Sequence, residues 1–205
     1  MRVLITGFGP FPGAPFNPSA ALAKALARRR RPALAEIERS THIFATTYAS
    51  VDRDLPKLFV EQKPDIVLMF GLAGRRRHVS VETRARNAIS LLFPDASGYR
   101  PDHGAIVLGG PGARSGNAPF ASLVGVTRNR ARPSRDAGRY LCNYIYWRGL
   151  EHSQGRRPLV QFIHIPPVSH KPRRRRRGTK PRLTFPALLK VAEALLIALI
   201  AASRR

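Results

Sequence analysis

The sequence contains a single cysteine, Cys142, and only 12 acidic residues against 36 lysines and arginines. One cysteine cannot form a disulfide within the chain, so a disulfide framework is excluded and a reducing, cytoplasmic compartment is expected. The excess of basic over acidic residues gives a formal net charge of +24, which attracts polyanions. Hydrophobic residues make up 43% of the chain, a usual fraction for a globular protein, so extensive disorder is also excluded.

Long hydrophobic runs are scarce. The first apolar residues, Val3 to Ile5, are too few for a secretion signal and run into glycine and proline. Residues 183–202 are strongly apolar, but a lysine and a glutamate interrupt them, and the remaining run is shorter than the ~18–20 residues of a membrane-spanning helix. We therefore expect no membrane association, and a C-terminal helix over 183–203 that is buried or amphipathic.

Sequence motifs for cofactors are also missing. The segment Gly7-Phe8-Gly9 lacks the third glycine and the downstream acid of a dinucleotide fingerprint, and residues 104–116 lack the lysine of a P-loop. The six histidines do not pair with carboxylates or with the cysteine at metal-ligand spacing. We expect a protein that works without a metal ion or an organic cofactor.

Predicted strands and helices alternate along the chain. Residues 65–71 form an apolar run that ends in glycine, which is typical of a buried parallel strand, and 159–166 form a similar run. Asn17 followed by proline, alanines and leucines predicts a helix start. Further strands are expected at 2–6, 43–48 and 79–83, a helix at 51–62, and a long loop at 94–117. This order predicts one domain over residues 1–205, a three-layer α/β/α sandwich around a mostly parallel or mixed sheet.

Two runs of arginine stand out, 28–31 and 173–177. The second lies in the segment 171–182, which we expect to be an exposed basic loop, because so few acidic residues could not pair with it in the interior. A loop with this much positive charge is expected to bind polyanions incidentally. Specific nucleic-acid recognition is a weaker interpretation, since zinc ligands and interleaved aromatic residues are absent.

Three residues could together carry nucleophilic chemistry: Cys142, His164 and Glu82. A thiolate is a strong nucleophile, a histidine can take its proton, and a carboxylate can orient the imidazole. Spacing alone leaves open an inert buried cysteine, a core histidine and an exposed glutamate.

Five motifs in order along residues 2–167 resemble pyroglutamyl peptidase I, a cysteine peptidase family also called pyrrolidone-carboxylate peptidase. Their order and separations, rather than any single motif, carry the resemblance. The motifs are Thr6-Gly7-Phe8-Gly9-Pro10-Phe11, Asn17-Pro18-Ser19, Gly71-Leu72-Ala73-Gly74-Arg75 with Glu82 and Asn87, Ala137-Gly138-Arg139-Tyr140-Leu141-Cys142-Asn143, and Phe162-Ile163-His164-Ile165-Pro166.

The resemblance implies a phosphorylase/hydrolase-like sandwich and a Glu–Cys–His triad at Glu82, Cys142 and His164. It implies removal of an N-terminal pyroglutamyl residue from peptides through a thioester acyl-enzyme, by a homo-oligomer that is often a tetramer. The substrate-binding positions that it implies are Phe8, Phe11, Asn17, Leu72, Tyr140 and Leu141.

The sequence also departs from the family pattern. Leu72 stands where many members have glutamine, and Leu91, Leu92 and Phe93 occupy a region where typical members have an arginine. Gly109-Gly110-Pro111 replaces an Asp-Gly-Pro segment, and Arg139 replaces a smaller residue. These changes leave the substrate range open. They also leave an alternative, a divergent or inactive member acting as a basic polyanion-binding protein.

Overall fold

A computed structural model of the chain describes residues 1–11, 13–153, 158–168 and 183–204. Over these residues it contains eight strands, five α-helices and one short 3-10 turn. The strands are β1 (Arg2–Phe8), β2 (Glu38–Phe44), β3 (Ile66–Leu72), β4 (Val79–Glu82), β5 (Arg84–Arg86), β6 (Ala113–Ser115), β7 (Ala131–Ser134) and β8 (Leu159–Ile165). The helices are α1 (Pro18–Ala27), α2 (Tyr48–Gln62), α3 (Phe120–Val126), α4 (Leu141–His152) and α5 (Phe185–Ser203), with the 3-10 turn at Pro32–Leu34.

Six strands form one mixed sheet in the order β2-β1-β3-β8-β4-β7. The first four run parallel to one another, whereas β4 pairs antiparallel with β8 and parallel with β7. Strands β5 and β6 form a separate two-stranded antiparallel ribbon. The mixed sheet flanked by helices confirms the predicted fold class.

Helices cover both faces of the sheet. Apolar residues of α1, α3 and α5 pack with one face, and those of α2 and α4 pack with the other, each set forming its own hydrophobic cluster. Helix α5 is long and apolar enough to cross a membrane by length and composition. Its residues Leu188, Leu195 and Leu199 are instead buried in the first cluster, as in a core helix of a globular protein.

The predicted strand at 43–48 was misplaced. The strand begins earlier, at Glu38, and Tyr48 is already the first residue of α2. Thr47 ends the extended segment because its side chain caps α2 by accepting a hydrogen bond from the Ser50 N–H. Residues 38–42 are polar because β2 lies at the edge of the sheet, so they lack the apolar run of a buried strand.

The C-terminal helix begins at Phe185, two residues later than predicted, with Thr184 as its N-cap. The predicted basic loop at 171–182 lies outside the described residues, and its exposure stays a prediction.

Glu193 on α5 forms an ion-pair cluster with the chain that follows α1. Its two carboxylate oxygens accept hydrogen bonds from Arg29 Nε at 2.5 Å and from Arg31 Nε at 2.7 Å. The Glu193 side chain is only 10% exposed. Burial alone would raise the pKa of Glu193, but the hydrogen bonds and charges of the two arginines hold it below its usual range.

We predict that Glu193→Gln lowers the free energy of unfolding by about 1–2 kcal/mol near neutral pH. A fully buried pair would cost roughly 3–5 kcal/mol to break, but both arginines here are partly exposed. Because the folded-state pKa is depressed, this stabilisation is present above the pKa of a free glutamate and is lost as the pH falls through the lower folded-state value. Urea unfolding at neutral and acidic pH measures both effects.

The exposed Glu61 provides a matched control, since Glu61→Gln should leave stability unchanged. A Glu193→Gln variant as stable as the parent at neutral pH would contradict the assigned role of the cluster.

Candidate active site

The strand register brings Glu82 and His164 to one face of the sheet. His164 on β8 lies opposite Ser80 of β4, and Glu82 is the second residue after Ser80 on that strand. In an antiparallel pair such diagonal neighbours point to the same side and are within reach of long side chains. Gly71 on β3 is the parallel partner of His164 on the other side.

Glu82 and His164 are in direct contact. His164 Nδ1 lies 2.8 Å from Glu82 Oε1, and both side chains are buried, with Glu82 fully inaccessible. A carboxylate can only accept, so Nδ1 carries the proton and Nε2 of a neutral ring is left with a lone pair. Burial would raise the pKa of Glu82, but hydrogen bonds and charge from His164, with help from Ser134 and Arg76, outweigh it and lower the pKa. Glu82 therefore remains ionised.

Cys142 is the second residue of α4, and its thiol lies against Gly71. A Cβ atom added to Gly71 would be 2.6 Å from Cys142 Sγ and 2.6 Å from Phe162 Cζ. The glycine thus provides the space in which α4 approaches the sheet. Because Gly71 is the strand neighbour of His164, the thiol, the imidazole and the carboxylate of Glu82 lie on one face of the sheet.

The resting thiol is protonated. Burial, followed by the negative charge of Glu82, raises the pKa of Cys142 to about 12, and the positive charge of Arg76 opposes this shift. The position of Cys142 in the first turn of α4 also favours a thiolate, because the N-terminal end of a helix carries a partial positive charge. A protonated thiol must give up its proton at the moment of nucleophilic attack, and His164 is the base on the same face of the sheet.

Buried polar side chains hold the backbone around the site, and the sequence analysis did not identify them. Tyr146 Oη and Gln161 Nε2 both donate to the Glu82 carbonyl, at 3.0 and 2.8 Å. Asn143, next to the cysteine, donates to the carbonyls of Arg86 and Ala88 and accepts from the Arg86 N–H. Asn143 belongs to a sequence motif, but its role as an anchor of α4 depends on residues more than 50 positions away.

Arg76 is a further functional residue that the sequence motifs do not include. Its Nη1 donates to Glu82 Oε1 at 2.5 Å and its Nη2 donates to the Asp136 carbonyl at 2.5 Å. The preceding residue Arg75, which ends the sequence motif, is exposed.

The predicted substrate-binding residues fall into two groups. Phe8, Tyr140 and Leu141 belong to the same apolar cluster as Cys142, and Tyr140 Oη donates to the Pro94 carbonyl. The other three contact neighbouring loop and strand residues. Asn17 donates to the Gly9 carbonyl, Phe11 pairs with Ala14, and Leu72 ends β3 beside Ile165.

A cysteine at a helix N-terminus beside a buried glutamate–histidine pair, on an α/β sandwich, defines a cysteine peptidase. The family model described as pyroglutamyl peptidase matches residues 1–205. The chain belongs to the pyroglutamyl peptidase family.

Curated relatives and solved structures agree with this family. The chain is 34% identical over 179 residues to the pyrrolidone-carboxylate peptidase of Thermococcus kodakarensis, covering 83% of each chain. It is 33% identical to pyrrolidone-carboxylate peptidase 1 of Ralstonia nicotianae, over 80% of this chain and 77% of the relative. The pyrrolidone carboxyl peptidase structure from Thermococcus litoralis superposes with a TM-score of 0.87 at 28% identity, covering 99% and 94% of the two chains. These comparisons do not favour the alternative of an inactive polyanion-binding protein.

We predict that Gly71→Ala destabilises the protein by about 1–3 kcal/mol, because the added methyl overpacks the space between α4 and the sheet. Gly74 is the matched control, since a Cβ there meets nothing within 4 Å. Gly74→Ala should be neutral or slightly stabilising through the unfolded state. Thermal unfolding of the two variants measures the difference, and equal melting temperatures would contradict the close approach of Cys142 to Gly71.

Proposed function

We propose that this protein removes an N-terminal pyroglutamyl residue from peptides, with Cys142 as the nucleophile, His164 as the general base and acid, and Glu82 as the residue that orients His164. The observation that carries the proposal is the buried Glu82–His164 contact on the sheet face that α4 and its cysteine cover. Membership in the pyroglutamyl peptidase family supplies the reaction class.

In the first half of the reaction, the thiol attacks the pyroglutamyl carbonyl carbon as its proton moves to Nε2 of His164. The imidazolium that forms is stabilised by the ionised Glu82 at Nδ1. His164 then gives the proton to the departing peptide amine, and the C–N bond breaks to leave a thioester on Cys142. Water attacks the thioester with His164 again as the base, which releases pyroglutamate and restores the thiol.

The negative oxygen of each tetrahedral intermediate needs hydrogen-bond donors. The first-turn amides of α4 have no partners within the helix and lie next to the nucleophile, so we assign them this role. The assignment suits a chain that has Leu91, Leu92 and Phe93 where typical members have an arginine.

The pyroglutamyl ring is a neutral lactam without a free amine, so a pocket with mainly apolar walls suits it. We propose that Phe8, Tyr140 and Leu141 form walls of this pocket, supported by the apolar cluster that they share with Cys142. Phe11, Asn17 and Leu72 remain proposed substrate contacts.

We predict that Cys142→Ser abolishes release of the fluorophore from pyroglutamyl-aminomethylcoumarin while the melting temperature stays close to that of the parent. A serine hydroxyl is isosteric with the thiol but far less nucleophilic in this setting. Because Cys142 is the only cysteine, one equivalent of bound iodoacetamide should abolish the activity of the parent protein. Mass spectrometry counts the label, and a fluorescence assay follows turnover.

A Cys142→Ser variant with parental turnover would contradict the assignment of Cys142 as the nucleophile. A folded parent protein without activity at any concentration, on this substrate or on pyroglutamyl peptides, would overturn the proposed function.

We further propose a homo-oligomer in a reducing, cytoplasmic compartment, where the lone thiol stays unoxidised. The support for assembly is an exposed apolar segment, residues 91–93, in which Leu92 is 76% and Phe93 64% exposed. Adjacent exposed apolar side chains of this kind are typical of interaction surfaces. Helix α5 is a weaker candidate for the contact, because its residues Leu188, Leu195 and Leu199 are already buried in the core.

We predict that replacing Leu92 and Phe93 together by serine reduces the molar mass in solution to that of one chain. Light scattering after size-exclusion chromatography measures it. Val60→Ser on α2 is the control, since Val60 is 71% exposed and lies outside the segment. A parent protein that is already monomeric would contradict the assembly, and an unchanged oligomer in the double variant would contradict the surface.

A further inference from the structure

Arg76 links three segments that meet at the site. It lies in the loop between β3 and β4, its Nη1 contacts the carboxylate of Glu82, and its Nη2 contacts the main-chain oxygen of Asp136. Asp136 belongs to the connection between β7 and α4, six residues before Cys142. One guanidinium therefore joins the buried carboxylate to the segment that leads into the nucleophile's helix.

The contact with Glu82 involves the same oxygen that orients His164. Glu82 Oε1 lies 2.5 Å from Arg76 Nη1 and 2.8 Å from His164 Nδ1. A rigid, planar guanidinium on one side restricts rotation of the carboxylate, so that Oε1 stays aligned with the imidazole. The Arg76 side chain is 27% exposed and the Glu82 side chain 0%, so part of the buried charge is compensated from the surface.

From these contacts we infer that Arg76 is a positioning residue for the peptidase site: it holds Glu82 against His164 and offsets the negative charge of Glu82 at the Cys142 thiol. The inference rests on the proposed function for its catalytic consequence, but its effect on the thiol can be measured without any turnover.

The charges that act on the thiol have opposite signs. After burial, Glu82 raises the pKa of Cys142, and Arg76 is the charged side chain that lowers it. Arg76 also lowers the pKa of Glu82. The other ionisable groups that face Glu82, Arg76 and the thiol are His164 from β8, His78 from the loop before β4, and two phenols, Tyr140 before α4 and Tyr146 on α4.

The carboxylate of Asp136 is exposed and interacts with Arg86 of β5, with its own loop and with the charge of Arg76. The thiol therefore experiences two opposing charges, Glu82 and Arg76. Removing the arginine leaves the negative charge uncompensated.

The test compares Arg76→Met, which removes the charge and the donors, with Arg77→Met, which removes an exposed arginine one residue away. The first measurement is the second-order rate constant for alkylation of Cys142 by iodoacetamide between neutral and mildly alkaline pH. The second is the pH profile of kcat/KM on pyroglutamyl-aminomethylcoumarin. Two further variants separate charge from hydrogen bonding: Arg76→Gln keeps donors without charge, and Arg76→Lys keeps charge without the planar fork.

We expect Arg76→Met to slow alkylation by up to about tenfold at a fixed pH below the thiol pKa, as for an increase of about one pKa unit. The acidic limb of kcat/KM should move to higher pH, because Glu82 is protonated more easily without Arg76. Arg76→Gln should share the slower alkylation, whereas Arg76→Lys should restore much of it. Arg77→Met should behave as the parent in both measurements.

If Arg76→Met fails to fold, Arg76→Gln decides the question, since it also removes the charge but retains a polar N–H donor. Alkylation rates in Arg76→Gln and Arg76→Met equal to those of Arg77→Met would overturn the inference. The parent protein could lack hydrolytic activity while Arg76→Met is still alkylated more slowly than the parent. That result would support the role of Arg76 at the thiol and contradict the proposed function. A lower kcat with unchanged pH dependence and alkylation would reduce Arg76 to a purely structural residue and also overturn it.

Discussion

The fully buried carboxylate of Glu82 is the constraint on which the rest of the site depends. A charge without access to water is costly unless it is paired and hydrogen-bonded, and here His164 and Arg76 share one of its oxygens. The main-chain carbonyl of the same residue is held by Tyr146 and Gln161. These partners come from α4, from β8 and from the loop before β4, so one residue links the positions of three parts of the fold.

The same charge shapes the chemistry of the thiol. Glu82 stabilises a positive imidazolium on His164 but disfavours a negative sulfur on Cys142, and burial acts in the same direction on the sulfur. The resting site therefore holds a neutral thiol and forms its ion pair during the reaction rather than before it. Placing Cys142 in the first turn of α4 offsets part of this penalty through the helix dipole.

Much of the architecture was predictable because buried parallel strands are apolar along their whole length. The runs that became β1, β3 and β8 were found in this way, whereas β2 was misplaced because an edge strand carries polar residues. Helix α3 and strands β5, β6 and β7 were missed, since they are short and carry no periodic pattern. Helix α4 was missed although it holds the cysteine, because its apolar residues point both to the sheet and to α2.

The sequence by itself determined the class of fold, the family, and Glu82, Cys142 and His164 as the candidates for chemistry, because ordered motifs and apolar runs are local properties of the chain. Only the tertiary structure decided that β4 runs antiparallel to β8, which makes Glu82 a diagonal neighbour of His164. It also decided which of three consecutive arginines reaches the carboxylate. Arg76 does so because its second anchor, the Asp136 carbonyl, lies 60 residues further along the chain, and pairing at that separation depends on the folded path rather than on any local pattern.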